Sequence, residues 1–195
     1  MSSRLRKLTL LALALLAAGA LTACGDSHSR VSTGTYAGES GANAPYLNVG
    51  PLVYEVQLSR ELNPFSTEDS VYLQGLSPAE QKLAPGQEWF AVFLQVYNGG
   101  SKALPASSDL TITDTQGNRY QPIAPGLTNQ FAYRAGSVPS KGRLPAADTV
   151  AADGTTQGAL LLFKIQTVSL DNRPLKLTIV DPADAAETAS AELDV

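Results

Sequence analysis

The feature that most constrains the fold is an alternation of apolar side chains with a period of two residues, which starts near Leu52 and recurs to the C-terminus. Successive side chains of a strand point to opposite faces, so this period predicts strands. Similar runs lie at 52–58, 110–113, 159–165, 175–179 and 189–195. The run 88–98 is typical of a central strand because it is bulky on both faces, with Phe90, Val92, Leu94 and Val96 on one and Trp89, Ala91, Phe93 and Tyr97 on the other. The chain is therefore predicted to be all-β, an antiparallel immunoglobulin-like β-sandwich.

Two long segments, 59–85 and 122–154, interrupt the strand pattern. Within the first, Ser77-Pro78-Ala79-Glu80 has the spacing of a capping box with proline at the first helical position, and 66–69 is a weaker copy. We therefore expect one or two short helical turns in the loops. Segments this long inside a compact domain are usually functional or carry structure of their own.

The N-terminus has the anatomy of an export signal. Arg4, Arg6 and Lys7 precede an apolar run from Leu8 to Ala23. This run is shorter than the roughly 20 apolar residues of a transmembrane helix, which is the alternative interpretation. The tetrapeptide 21–24, Leu-Thr-Ala-Cys, resembles the lipobox of bacterial lipoproteins, and the resemblance implies that Cys24 is acylated after cleavage. We expect a lipoprotein signal peptide at 1–23 and a lipid anchor that holds the chain at the extracytoplasmic face of the cell membrane.

Residues 24–44 are predicted to be a lipidated flexible tether, because this stretch is rich in Gly, Ser, Thr and Ala and has no apolar periodicity. A strand around Tyr36 is the alternative. Residues 45–195 then form a single β-sandwich domain, a length that suits one core. Cys24 is the only cysteine, so an internal disulfide is impossible and packing alone must hold this domain together.

The charge balance of the mature chain is acidic. Loss of the three basic residues before position 24 leaves 11 basic and 18 acidic residues, a formal net charge of −7. General nucleic-acid binding needs a basic surface, so we expect no nucleic-acid partner.

A family resemblance is carried by the run 88–98, by 109–120 with its Asp-Thr-Gln-Gly-Asn-Arg-Tyr ending, by 158–165 and by a closing C-terminal strand. This order resembles the telokin-like, immunoglobulin-fold domain of uncharacterised bacterial lipoproteins, common in actinobacteria. It covers roughly residues 45–195. The resemblance implies an immunoglobulin-like sandwich and brings no catalytic residues with it.

The sequence contains few residues or motifs that would indicate an enzyme. The only histidine, His28, falls in the predicted tether, where packing cannot hold a general base or a metal ligand in place. Nucleophile-elbow, phosphate-loop and dinucleotide-binding motifs are all missing. We expect no catalytic residues, no metal and no cofactor. The carboxylates of Glu68, Asp69, Asp181, Asp184 and Glu187 are interpreted as surface groups rather than a calcium site.

One segment, 115–147, contains no acidic residue. Its basic and aromatic side chains form the candidate partner-binding loop, which comprises Arg119, Phe131, Tyr133, Arg134, Lys141 and Arg143. The alternative is that Phe131 and Tyr133 enter the core and that the basic groups pair with the acidic remainder of the chain. The aromatic residues of 59–85 are open to the same two interpretations.

Three functions compete at this level. The first is a non-enzymatic binding module, monomeric, presenting loops to an envelope protein or polymer. The second is a carrier of a small molecule or lipid in an apolar cavity, and the third is a hydrolase of envelope material. The first is favoured because no positioned general base is available to a hydrolase.

Overall fold

The computed structural model describes residues 29–31, 36–37 and 46–194. The predicted signal peptide, Cys24 and most of the predicted tether lie outside these residues. The strands are β1 (Ser29–Val31), β2 (Tyr36–Ala37), β3 (Tyr46–Val49), β4 (Leu52–Leu62), β5 (Gln87–Asn98), β6 (Leu104–Pro105), β7 (Leu110–Thr113), β8 (Arg119–Tyr120), β9 (Ser137–Val138), β10 (Arg143–Leu144), β11 (Ala159–Gln166), β12 (Leu175–Val180) and β13 (Thr188–Asp194). Short helices lie at α1 (Thr67–Ser70), α2 (Val150–Asp153) and α3 (Val168–Asp171), and a 3₁₀ turn lies at Val71–Leu73.

Two sheets build the sandwich. The first has the order β8-β7-β12-β13, and β1 and β2 both lie along the outer edge of β13. The second has the order β3-β4-β5, and β10 and β11 share the far edge of β5. A small third ladder joins β6 to β9. All neighbours are antiparallel except β1 and β2, which run parallel to β13. The predicted antiparallel sandwich is confirmed.

The predicted central strand is β5, and both of its faces are buried. One face packs between the two sheets in a group that we call the inner cluster, to which β5 contributes Phe90, Val92, Leu94 and Val96. The opposite face contributes Trp89, Ala91 and Phe93 to a second group on the outside of the second sheet, the outer cluster. Strand β11 has the same two-sided character, since Phe163 lies in the inner cluster and Leu162 in the outer one.

Strand β4 serves both clusters because of an irregularity at its centre. Tyr54 and Val56 belong to the inner cluster, whereas Leu58 and Leu62 pack in the outer cluster. The register with β5 shifts between Val56 and Leu58, as in a β-bulge. One extra residue reverses which side chains face inward, because side chains alternate along a strand.

The hairpin between β7 and β8 has the predicted turn. The carboxylate of Asp114 accepts hydrogen bonds from the amides of Gln116 and Asn118, both at 2.9 Å. Gly117 has a φ of 85°, a conformation that glycine adopts without strain. The hydroxyl of Ser169, which precedes Leu170 in α3, donates to the same carboxylate at 2.7 Å and so fastens the hairpin to α3.

The capping box is formed as predicted. The amide of Ser77 donates to the Glu80 carboxylate at 2.8 Å, and the amide of Glu80 donates to the Ser77 hydroxyl at 3.3 Å. The chain makes a single turn there, because Pro85 and Gly86 follow before β5. The second predicted turn, at 66–69, becomes α1 and runs into the 3₁₀ turn.

Two stretches of the predicted tether form short strands. Ser29–Val31 pairs with Thr188–Ser190, and Tyr36–Ala37 pairs with Leu193–Asp194. The structure therefore has a strand at Tyr36, which was the alternative interpretation of this stretch. Such pairing uses backbone groups along the open edge of β13, so a Gly- and Ser-rich composition does not reveal it. The division of the chain at residue 45 otherwise stays a prediction.

Candidate functional site

The two long segments meet on the outer face of the second sheet, where residues 63–86 and 122–135 form a joint cover that we call the cap. The amide of Gly126 donates to the carbonyl of Gly75 at 2.9 Å. Gly75 has a φ of 79°, and a Cβ there would lie 3.1 Å from the Gly126 backbone. A side chain would therefore crowd the place where the two segments touch.

Asn129 is the main polar fastener of the cap. Its side chain is 3% exposed and donates to the carbonyls of Tyr72 and Gln74, both at 2.9 Å. Its own carbonyl oxygen accepts from the amides of Phe131 and Ala132 at 2.9 and 3.0 Å. One buried amide thus satisfies backbone groups of both segments, which would be costly to leave unpaired.

Aromatic rings join the cap to the sheet. The ring of Tyr72 makes edge-to-face contacts with Phe93 of β5 and with Phe131, at centroid distances of 5.0 and 4.9 Å. The Arg60 guanidinium lies 5.9 Å from the Tyr72 centroid, within the range of a cation–π contact. Tyr72 is buried, so its ring holds the two segments together rather than offering a free face.

A salt bridge secures the start of the cap. Arg60 Nη2 donates to Asp69 Oδ1 at 2.5 Å, and the amide of Asn63 donates to Asp69 Oδ2 at 2.8 Å. Burial opposes the charged carboxylate, but these two bonds outweigh it and hold the pKa of Asp69 below its ordinary value. The bond to Asp69 also raises the pKa of Arg60.

The cap carries an exposed apolar side chain from each segment. Phe65 is 95% exposed and Leu127 is 87% exposed. A groove of about 390 Å³ lies between the two segments and α2, and its lining includes Arg60, Glu68, Phe131, Val150 and Thr156. Exposed apolar surface marks an interaction site where it forms a contiguous patch, whereas single exposed apolar side chains are common on any protein.

The candidate partner-binding residues fall into three places. Phe131, Tyr133 and Arg134 belong to the cap, and Arg119 lies exposed on β8 of the other sheet. Lys141 and Arg143 lie near the end of β5, where Lys141 Nζ donates to the Gly99 carbonyl and Arg143 pairs with Asp153 at 3.7 Å. The fold therefore does not gather the six into one loop surface, and their binding role stays a prediction.

Phe131 and Tyr133 pack as the structural alternative expected. They flank Ala132, which bridges to Leu160 on the open edge of β11. The hydroxyl of Tyr133 donates to the Ser107 carbonyl at 2.7 Å, and the amide of Ser107 donates to the Tyr54 hydroxyl at 2.7 Å. Burial raises the pKa of both tyrosines, so they stay neutral hydrogen-bonding groups.

Three of the carboxylates that were interpreted as surface groups accept hydrogen bonds at turns. Asp69 and Asp181 are each only 7% exposed, so the surface interpretation is wrong for these two. Asp181 accepts from the amide of Ala183 at 2.8 Å, Asp184 from that of Ala186 at 2.9 Å, and Glu187 from that of Gly50 at 2.9 Å. Within residues 29–31, 36–37 and 46–194, no group of three or more His, Cys, Asp or Glu side chains could hold a metal ion. The same residues include no helix long and apolar enough to cross a membrane.

Sequence reasoning missed Leu127 and Asn129. Both lie in the second long segment, but neither stands out by charge, aromaticity or spacing. The one available signal was the length of the segment itself, because long loops in a compact domain usually serve a purpose.

Comparison with known proteins gives a fold and no family. No family model matches the chain, and no curated protein matches it. The YjhA protein of Bacillus subtilis has a TM-score of 0.52 at 10% identity, over 80% of this chain and 99% of that one. YcdA of Bacillus subtilis, provisionally described as a lipoprotein, has a TM-score of 0.50 at 11% identity, over 76% of this chain. An uncharacterised β-sandwich protein of Clostridium difficile gives 0.43 at 9% identity, over 83% of this chain and 95% of that one.

This chain spans only 38% of the length of YcdA. At such identities the likeness concerns the fold alone, and function has to be argued from the residues of this chain.

Proposed function

We propose that this protein is a lipid-anchored, extracytoplasmic binding module whose cap docks onto an envelope protein. It acts as a monomer and without catalysis, as expected of a telokin-like, immunoglobulin-fold lipoprotein domain. The observation that carries the proposal is the cap itself, where two long segments are fastened together and each leaves one large apolar side chain in solvent, Phe65 and Leu127.

The chemistry of the cap favours a protein partner over a polysaccharide. Phe65 and Leu127 expose apolar surface with no polar group of their own, and such anchors gain free energy by entering apolar pockets of a partner. The Arg60–Asp69 bridge and Asn129 hold the cap in one conformation, so less ordering is required on binding.

Site-specific photocrosslinking in the native host tests this surface. Benzoylphenylalanine is placed at Phe65 or Leu127 of the full chain, and control variants carry it at Tyr46 or Val168, which are 59% and 56% exposed and lie outside the cap. We expect one and the same discrete protein adduct from both cap positions and none from the controls.

Other adducts would contradict the proposal in distinguishable ways. Adducts with lipid would mean that the cap contacts the bilayer, and a heterogeneous high-mass smear would indicate an envelope polymer. No adduct at either cap position, or the same adducts at the control positions, would reject the cap as a docking surface.

The anchor has its own test. Replacement of Cys24 by Ala should abolish labelling by a clickable fatty acid and leave an uncleaved precursor, because the acylated thiol is lost. The control Ser27→Ala should be labelled and cleaved normally. Labelling of the Cys24→Ala chain at the normal level would reject lipidation at this residue.

A further inference from the structure

A second cavity, which we call the cleft, lies apart from the groove and beside β11, and residues from both sheets line it. Leu110 comes from β7 of the first sheet, and Leu160 and Leu161 come from β11 of the second. The segments around Ile123 and Tyr133 close the space, whose volume is about 300 Å³. Most of its lining residues are apolar, which is the usual composition of a small-molecule site.

Polar chemistry in this cleft is confined to a few groups. The Tyr133 hydroxyl already donates to the Ser107 carbonyl. Arg134 and Ser108 also line the cleft, and both are exposed. Two apolar walls with one cation suit a ligand that has an apolar body and a negative end.

The Arg134 side chain is positioned by the cap. Its Nη2 group donates to the carbonyls of Pro125 and Gly126 at 3.1 and 2.8 Å. Among the described residues no hydrogen bond is recorded from Nε or Nη1, so these two donors remain for a ligand. The surrounding segment, 115–147, contains no acidic side chain that would compete for them.

From this arrangement we propose that the cleft binds a small organic carboxylate with an apolar, aromatic-sized body, whose carboxylate pairs with Arg134. A volume of about 300 Å³ equals on the order of ten water molecules and lies at the lower end of known ligand sites. It admits one ring system and is too small for the acyl chains of a membrane lipid. The inference is independent of the proposed docking of the cap onto a protein.

The direct test is calorimetric titration of the full chain in nanodiscs with 2-naphthoate and, separately, with its neutral analogue 2-naphthamide. Empty nanodiscs give the background of each probe. We expect naphthoate to bind about tenfold more tightly than naphthamide, because a hydrogen bond to a charged group is worth more than one to a neutral group. The naphthoate affinity should fall with added salt, since an exposed ion pair is screened, whereas the naphthamide affinity should not.

Variants locate the binding. Ala124 and Ala135 line the cleft and are exposed, so Ala124→Trp and Ala135→Trp should fill it without disturbing the core and should abolish binding of both probes. Ala103→Trp, at an exposed position away from the lining, is the matched control and should bind both normally. Arg134→Gln should remove the preference for naphthoate.

Three results would overturn the proposal: no binding of either probe, binding that survives both tryptophan variants, or equal affinity for the two probes with no effect of salt. If Arg134→Gln loosens the cap, the salt dependence of the unmodified chain still decides the role of charge. Replacement of Phe65 and Leu127 by Ser should leave naphthoate binding intact, which separates this site from the docking surface of the cap.

Discussion

The inner and outer clusters draw on the same strands but are covered in different ways. Regular strands close the inner cluster on both sides, so its packing follows from the alternation of residues such as Leu94 and Leu177. Loops close the outer cluster, and these loops depend on a few polar fasteners, chiefly Asn129 and Asp69. A single strand such as β5 can therefore contribute to the inner cluster on one face and, on the other face, to an outer cluster that is covered by the cap.

The largest effect should come from the inner cluster. Leu94 is fully buried, so Leu94→Ala should lower the free energy of unfolding by about 2 to 5 kcal/mol, because it removes apolar contacts and leaves a cavity. Denaturant unfolding measures the loss. A loss below about 1 kcal/mol would mean that the site collapses around the smaller side chain and that the inner cluster is no more tightly packed than the cap.

A smaller and local effect is expected from the main fastener of the outer cluster. Asn129→Ala should cost about 2 kcal/mol, because it strands buried backbone groups of both segments. Hydrogen exchange should accelerate at 72–76 and 126–133 while β12 stays protected. The exposed neighbour Gln130→Ala is the control and should change neither region. Acceleration throughout the sandwich would show that the cap and core unfold as one unit.

The salt bridge of the cap should contribute about 1 kcal/mol, since Arg60 is partly exposed. The pKa of Asp69 is lowered in the folded state, so this contribution is present above its ordinary value of 3.8 and is lost as the pH falls through the folded-state value. Asp69→Asn should therefore lower stability at neutral pH and flatten the acid limb of the stability profile. The adjacent exposed carboxylate offers the control, Glu68→Gln, which should leave the profile unchanged.

The smallest effect concerns Glu88, at the start of β5. Burial, and then the charge of Glu61, raise its pKa above the ordinary value of 4.5, and no hydrogen-bond partner is recorded for Oε1 among the described residues. A raised pKa favours the folded state only at low pH, and this advantage is lost as the pH rises through the folded-state value. Glu88→Gln should slightly stabilise the protein at neutral pH. Glu61→Gln should also stabilise the protein at neutral pH, but by less. A lower free energy of unfolding for Glu88→Gln at neutral pH would contradict this account.

The sequence predicted the parts of the fold that depend on side-chain alternation. The two-sided run around Phe90 and Phe93 correctly indicated a strand covered on both faces, and the turn at Asp114 followed from local chemistry. The cap could be anticipated only by its length. Its fastening joins Asn129 to Tyr72 across 57 positions, and no local pattern encodes such a contact.

The basic residues illustrate the same limit at the candidate site. Arg134 and Lys141 donate to backbone carbonyls, and every residue type presents a carbonyl, so their partners leave no trace in the sequence. The absence of acidic residues from 115–147 suggested that its positive charges were free to bind a partner. In the structure, Arg134 and Lys141 instead help to hold loops in place.

The pairing of β1 with β13 bears on how high the domain would stand above the membrane. Ser29 is the fifth residue after Cys24, and five fully extended residues span at most about 18 Å. With a lipid on Cys24, as proposed, the sheet would begin almost at the headgroups. Ser29 pairs with Thr188, next to the turn that contains Asp181 and Glu187, so this acidic end of the sandwich would lie nearest the bilayer. The domain would then have a restricted height and tilt, and the end of β4 that leads into the cap would face away from the bilayer.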